Sequence, residues 1–241
     1  PRIIESAKAA LDKYGSGCAG SRFLNGTLDI HVKLERDLAE FVHKEDALCF
    51  STGFSVNAGV IAMVGGREDY IICDDRDHAS IVDGRRLSFA HQLKYKHNDM
   101  EDLERILQKL PHDAIKLIVV DGVFSMEGDL AKLPEIVELK HKYNCSIMVD
   151  EAHGIGVFGK NGRGVCDYFG LSDEVKILTS TVWVIILMDI IMTYMGSTSN
   201  DAAFNAWVTE ISTPKVRPTI EVAFTFVGFL SMVAVMGVGS L

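Results

Sequence analysis

Three short apolar runs, each broken off by an acidic residue, set the strongest limit on what this chain can become. Residues 70–73, 115–120 and 147–149 are dominated by Ile, Val and Leu and give way to Asp74, Asp121 and Asp150. Short runs without polar alternation read as strands buried on both faces. Between the second and third lies a helix begun by Pro134 and reaching Tyr143. Before the second, Asn98 and Glu101 form a capping-box pattern ahead of Met100, Leu103, Ile106, Leu107 and Leu110, which share one helical face. Strand and helix alternating at this spacing predict an α/β fold with a mostly parallel, doubly wound sheet.

The N-terminal part is read in the same way. Ile3, Ile4, Ala7, Ala10, Leu11 and Tyr14 fall on one helical face. Asp29 is a predicted N-cap for a helix whose stripe is Leu34, Leu38, Phe41 and Val42. Residues 47–50 are expected to be a short strand running into Ser51-Thr52-Gly53-Phe54, with a helix over 55–63. Gly15, Gly17 and Gly20 match a dinucleotide fingerprint by letter, but a helix precedes them where that motif needs a strand, so they are read as a flexible loop.

Open α/β sheets bind ligands beyond the carboxyl ends of their strands. Four such ends would bring Gly53, His78, Asp121 with Ser125, and Asp150 with His153 to one rim. A carboxylate there can keep a heteroaromatic nitrogen protonated, and an imidazole three residues on can bond a second ring substituent. That pair suits a pyridinium cofactor. Taken alone, Asp150 is better read as a residue capping the next turn and His153 as satisfied locally, and His78 as a solvated loop histidine; their weight comes from convergence. The turn at Gly53 can point free N–H groups at a phosphate or simply join a strand to a helix.

The bulk properties exclude other classes. A net charge of −9 without any basic cluster argues against a nucleic-acid partner. Five widely spaced cysteines, never in a Cys-x-x-Cys, indicate neither a disulfide framework nor a metal site, and fit a cytoplasmic protein. The charged start is no signal peptide, and a first residue that is Pro1 rather than Met predicts a processed or truncated product.

Six segments then carry a family resemblance: Gly-Ser-Arg-Phe-Leu-Asn-Gly-Thr (20–27), Ser-Thr-Gly-Phe (51–54), Asp-His-Ala-Ser (77–80), Gly-Val-Phe-Ser-Met-Glu-Gly-Asp (122–129), Val-Asp-Glu-Ala-His-Gly (149–154) and Gly-Arg-Gly (162–164). From about Tyr14 to Thr181 the chain resembles the pyridoxal 5'-phosphate-dependent α-oxoamine synthases. The resemblance implies the large domain of fold-type I transferases over 1–181. It implies condensation of an amino acid, serine or a glycine-like one, with an acyl-CoA, and a homodimer. It also implies that Asp150 pairs with the pyridine nitrogen, His153 bonds the ring hydroxyl and His78 stacks on the ring. Gly53 and Phe54 would face the phosphate, with Ser125 and Thr181 as further cofactor contacts.

One position departs from the pattern. The family's Schiff-base lysine follows the strand after Gly-Arg-Gly, and here Val184 occupies its place. Beyond Val182 the only charged residues are Asp189, Asp201, Glu210, Lys215, Arg217 and Glu221, and the family's small domain has no counterpart. Residues 222–238 are uncharged and approach the roughly 20 apolar residues of a membrane span, although no aromatic belt or basic cluster flanks them. The sequence therefore leaves three readings open: an enzyme of this lineage, in truncated or mis-assigned form; a lysine-lacking subunit beside a catalytic partner; and a membrane-tethered binding protein.

Overall fold

A computed structural model describes residues 2–16 and 21–180. Residues 17–20 of the glycine loop, Thr181, Val184 and the apolar tail lie outside the described residues. The chain divides into two units at Gly26. In the first, helix α1 (Arg2–Tyr14) has no buried residue, and a π-helical turn covers Arg22–Gly26.

The second unit begins at Thr27, and its described residues contain a five-stranded sheet. Its strands are β1 (Tyr70–Asp74), β2 (His91–Tyr95), β3 (Lys116–Asp121), β4 (Ser146–Asp150) and β5 (Ile177–Thr179). All neighbours are parallel, in the order β2-β1-β3-β4-β5, as an α/β doubly wound sheet requires. Side chains alternate strictly between its faces. Ile72, Ile118, Val120, Ile147 and Val149 enter one core with Leu103 and Leu107 of α5 (Met100–Leu107) and Ile136 of α6 (Leu133–Tyr143). Ile71, Leu117, Val119 and Met148 enter the other with Ile61 of α3 (Gly53–Val64) and Ile81 of α4 (Ala79–Leu87). A strand with both faces covered by helices needs apolar residues at every position, which is why the three runs were legible.

Two expectations are corrected, and one strand went unannounced. Residues 47–50 form no strand. Among the described residues no strand pairs with them, and the Cys49 N–H donates to the Glu35 carboxylate of α2 (Asp29–Phe41) at 2.7 Å. Strand β2 carries the polar sequence HQLKY because it lies at the sheet edge, where only Tyr95 is buried, so no apolar run announced it. The caps shift by one residue: Leu28 precedes α2, and Asp99 rather than Asn98 caps α5 by accepting from Asp102 N at 3.0 Å.

The chain leaves β1 toward β2 and then crosses back to β3. The sheet thus reverses direction between β1 and β3, which opens a crevice at their carboxyl ends.

Candidate active site

Asp150 closes β4 in register with Asp121 of β3 and Thr179 of β5. Its two oxygens do different things. Oδ1 accepts from Ala152 N at 2.9 Å and so caps the following turn, while Oδ2 accepts from Asn57 Nδ2 at 2.6 Å. Burial pushes its pKa up, opposed by those two bonds and by the nearby His78 and His153.

Asn57 is the side chain on which the rest hangs. It lies on α3, 2% exposed, in an otherwise apolar stretch. Its amide nitrogen also donates to Ser80 Oγ at 2.9 Å, and its oxygen accepts from Thr179 Oγ1 at 2.9 Å. Both of its amide hydrogens and one lone pair of its oxygen are then used, which fixes both its own orientation and that of Asp150. Nothing in the motif pattern marked it. The signal available was a lone Asn among Val, Ala and Ile, since a buried polar group needs partners.

His78 caps α4. Its Nδ1 accepts from Ser80 N at 3.3 Å and lies 2.8 Å from Ser80 Oγ. With Ser80 Oγ receiving Asn57, the hydroxyl proton points at Nδ1, and the imidazole proton falls to Nε2. The His78 N–H donates to Asp121 Oδ2 at 2.8 Å, and Asp121 N donates to Asp77 Oδ1 at 3.0 Å across the β1/β3 crevice. Burial and the neighbouring Asp150 raise the Asp121 carboxyl to about 7. Asp77 is raised well above the carboxylate range by burial and by Asp121, and its Oδ2 has no partner among the described residues.

Glu151, fully buried, was not singled out either. Its carboxylate accepts from Val165 N at 2.9 Å and Cys166 N at 2.8 Å, capping α7 (Val165–Tyr168). Gly164, at φ +104, passes so near that a Cβ there would lie 2.6 Å from the Glu151 Cδ, and a Cβ on Gly154 would overlap Oε2 outright. The two motifs 149–154 and 162–164 are thus halves of one packed unit.

The remaining sequence-picked residues take separate places. Gly53 and Phe54 open α3 behind Thr52, whose Oγ1 accepts from Ser55 N at 3.1 Å and leaves the first two N–H groups of the helix outward. Ser125 is exposed on the connection after β3, and His153 is exposed on the turn after β4. Among the described residues no hydrogen bond joins Gly53, Phe54 or Ser125 to the Asn57 network. Among the described residues no group of three or more His, Cys, Asp and Glu could hold a metal ion, and no helix is long and apolar enough to cross a membrane; residues 222–238 lie outside them.

A parallel α/β sheet with acidic and imidazole side chains gathered at its switch point defines the class. The chain belongs to the aminotransferase class I and II family, whose model matches residues 2–182. Within it, the chain is 73% identical over 180 residues to a serine palmitoyltransferase of Bacteroides thetaiotaomicron, covering 75% of this chain and 46% of that one. It is 47% identical over 182 residues to 8-amino-7-oxononanoate synthase 1 of Bacillus subtilis, covering 76% and 46%. A solved lysine-to-alanine variant of the S. paucimobilis serine palmitoyltransferase, with bound PLP-myriocin aldimine, aligns with a TM-score of 0.73 at 42% identity, covering 75% of this chain and 46% of that one. Residues 17–27 point the same way, looking more like a bacterial serine palmitoyltransferase than an 8-amino-7-oxononanoate synthase or a glycine C-acetyltransferase. The chain spans under half the length of these relatives.

Proposed function

We propose that residues 1–181 are the large-domain portion of a cytoplasmic, homodimeric, pyridoxal-phosphate-dependent C-acyltransferase. It would join serine or a glycine-like amino acid to an acyl-CoA with loss of carbon dioxide, as in serine palmitoyltransferase. The observation that carries this reading is Asp150: a buried carboxylate bonded only to neutral donors, aimed by a thrice-bonded Asn57 and within electrostatic reach of two histidines. A protonated ring nitrogen is the partner that offsets the cost of burying such a charge. The residues therefore fit the cofactor.

Asp150 would hold the proton on the pyridine nitrogen, and His153 would bond the ring hydroxyl. His78 would lie on the ring, oriented through Ser80. The outward N–H groups of Gly53 and Phe54 would bind the phosphate at the start of α3, with Ser125 and Thr181 as further contacts. The bound cofactor supplies a cationic ring that takes up the electrons left on the substrate's α-carbon. The chain's own part is to keep that ring nitrogen charged and the ring flat between an acid and an imidazole. Exposed apolar side chains on rim connections, Met126 at 89% and Val157 at 70%, support the homodimer.

Val184 favours a second reading, in which this chain is the lysine-lacking subunit of a pair. Titration of the full chain with pyridoxal phosphate, followed by absorbance and induced circular dichroism, tests the site. Binding is expected, and Asp150→Asn should weaken it about tenfold or more, the equivalent of one pKa unit of lost charge interaction. Absent binding, or equal binding by the variant, overturns the proposal. Turnover of serine and acyl-CoA only when a lysine-bearing homologue is co-expressed would establish the second reading over the first.

A further inference from the structure

His97 stands outside the site just described, yet both of its ring nitrogens meet carboxylates. Nδ1 lies 3.0 Å from Asp74 Oδ1 at the end of β1, and Nε2 lies 3.1 Å from Asp129 Oδ2 on the connection after β3. Both oxygens already accept from nitrogen donors: Asp74 Oδ1 from Arg76 N at 2.9 Å, and Asp129 Oδ2 from Asn98 Nδ2 at 3.0 Å. Neither is placed as a proton donor. A neutral imidazole would turn one lone pair against a carboxylate, so the geometry demands a ring that donates from both nitrogens.

The neighbouring contacts all serve one connection. Asn98, at φ +50, donates its backbone N–H to Asp74 Oδ2 at 2.8 Å and its side chain to Leu130 O at 3.0 Å. The His97 ring stands edge-on to Phe124, with centroids 4.5 Å apart. Phe124 and Asp129 close the connection on itself through Phe124 N to Asp129 O at 3.0 Å. Ser125 is the residue next to Phe124.

We infer that His97 is a cationic positioning residue, which as an imidazolium between Asp74 and Asp129 clamps the connection carrying Ser125 to the end of β1. The consequence for cofactor binding rests on the reading of Ser125 given above; the clamp itself does not. The charges around the ring agree. Asp74 faces it from β1, and Asp75 accepts its backbone N–H at 3.1 Å. Asp129 faces it from the connection, while Arg76 is occupied by Glu127 at 3.8 Å. Asp99, Glu101, Glu135 and the single cation Lys132 line the hollow on its remaining side. Burial works against the charge, but the bonds to Asp74 and Asp129 outweigh it and hold the His97 pKa above its ordinary value. A group raised on folding contributes below its pKa and is lost as pH rises through it. The Asp129 end, 48% exposed against a fully buried Asp74, is where the clamp opens.

Nitrogen-15 NMR of the full chain between about pH 5 and about pH 9 tests this. Both His97 ring nitrogens should show imidazolium shifts up to a midpoint above the ordinary histidine value, and the Ser125 and Gly128 amides should move with that midpoint. Asp129→Asn should lower it, and His97→Gln should remove the transition from those amides. A ring already neutral near pH 6, or amides indifferent to its titration, overturns the clamp. Affinity for pyridoxal phosphate should fall about fivefold across the same transition in the unaltered chain but not in His97→Gln. An affinity equally pH-dependent in both overturns the link to the site. If pyridoxal phosphate binds at no pH, the proposed function fails while the NMR transition still decides the clamp.

Discussion

The two ends of the sheet treat buried charge in opposite ways. At the amino end of β3, Lys116 is 2% exposed, and its ammonium donates to three carbonyls, Pro111 O, His112 O and Ala114 O, at 3.0, 2.9 and 2.9 Å. All three of its N–H bonds are used, so the base behaves as finished structure. At the carboxyl end, Asp74, Asp77, Asp121 and Asp150 crowd together, burial raises the pKa values of Asp77, Asp121 and Asp150, and Asp77 keeps an oxygen without a partner among the described residues. Three of these acids, Asp77, Asp121 and Asp150, are brought to a crevice at the cost of their own ionisation. Where a fold satisfies a buried charge completely it gains rigidity; where it leaves one short of partners it retains binding energy for a ligand.

Breaking the rim where it is complete should have the largest effect. Both Glu151 oxygens are matched by backbone N–H groups, and Gly154→Ala drives a methyl into them. A loss of about 3 kcal/mol in unfolding free energy is expected, at the upper range for overpacking, read by urea denaturation. A stability within experimental error of the parent would show that this half of the rim yields. Replacing the matched base charge comes next: Lys116→Met leaves three carbonyls without their donor and should cost about 2 kcal/mol, while pyridoxal phosphate affinity stays unchanged. A changed affinity would erase the distinction between base and rim. The smallest effect belongs to Asp121→Asn. Because folding raises the Asp121 carboxyl to about 7, the folded chain binds its proton more tightly than the unfolded one, so this residue makes stability fall as pH rises from about 4 to about 7. The amide should flatten that slope by on the order of 1 kcal/mol, seen as a higher melting temperature at pH 7 with little change at pH 4. An unchanged slope would mean that Asp121 is not held short of ionisation.

The strands most buried were the ones most readable. β1, β3 and β4 declare themselves because each side chain enters one of two cores, whereas β2 has a free edge and no reason to be apolar. Residues 47–50 look like a strand but pair with none of the described strands, and strand formation needs a partner as well as a pattern. At the rim, Asp150, His153 and His78 were legible because motifs place them after strands. Asn57, Glu151 and His97 were not, because their importance lies in partners distant in the chain: Asn57 and Asp150 are separated by 93 positions.

What the residues determine unaided is the kind of sheet, its polarity and the chemistry collected past its strands, because periodicity and strand-end charge are local properties. Only the tertiary structure decides which of those charges are matched and which are left waiting. A hydrogen bond between α3 and β4, or a histidine caught between two acids from different connections, exists only once the sheet has brought distant segments within about 3 Å of one another.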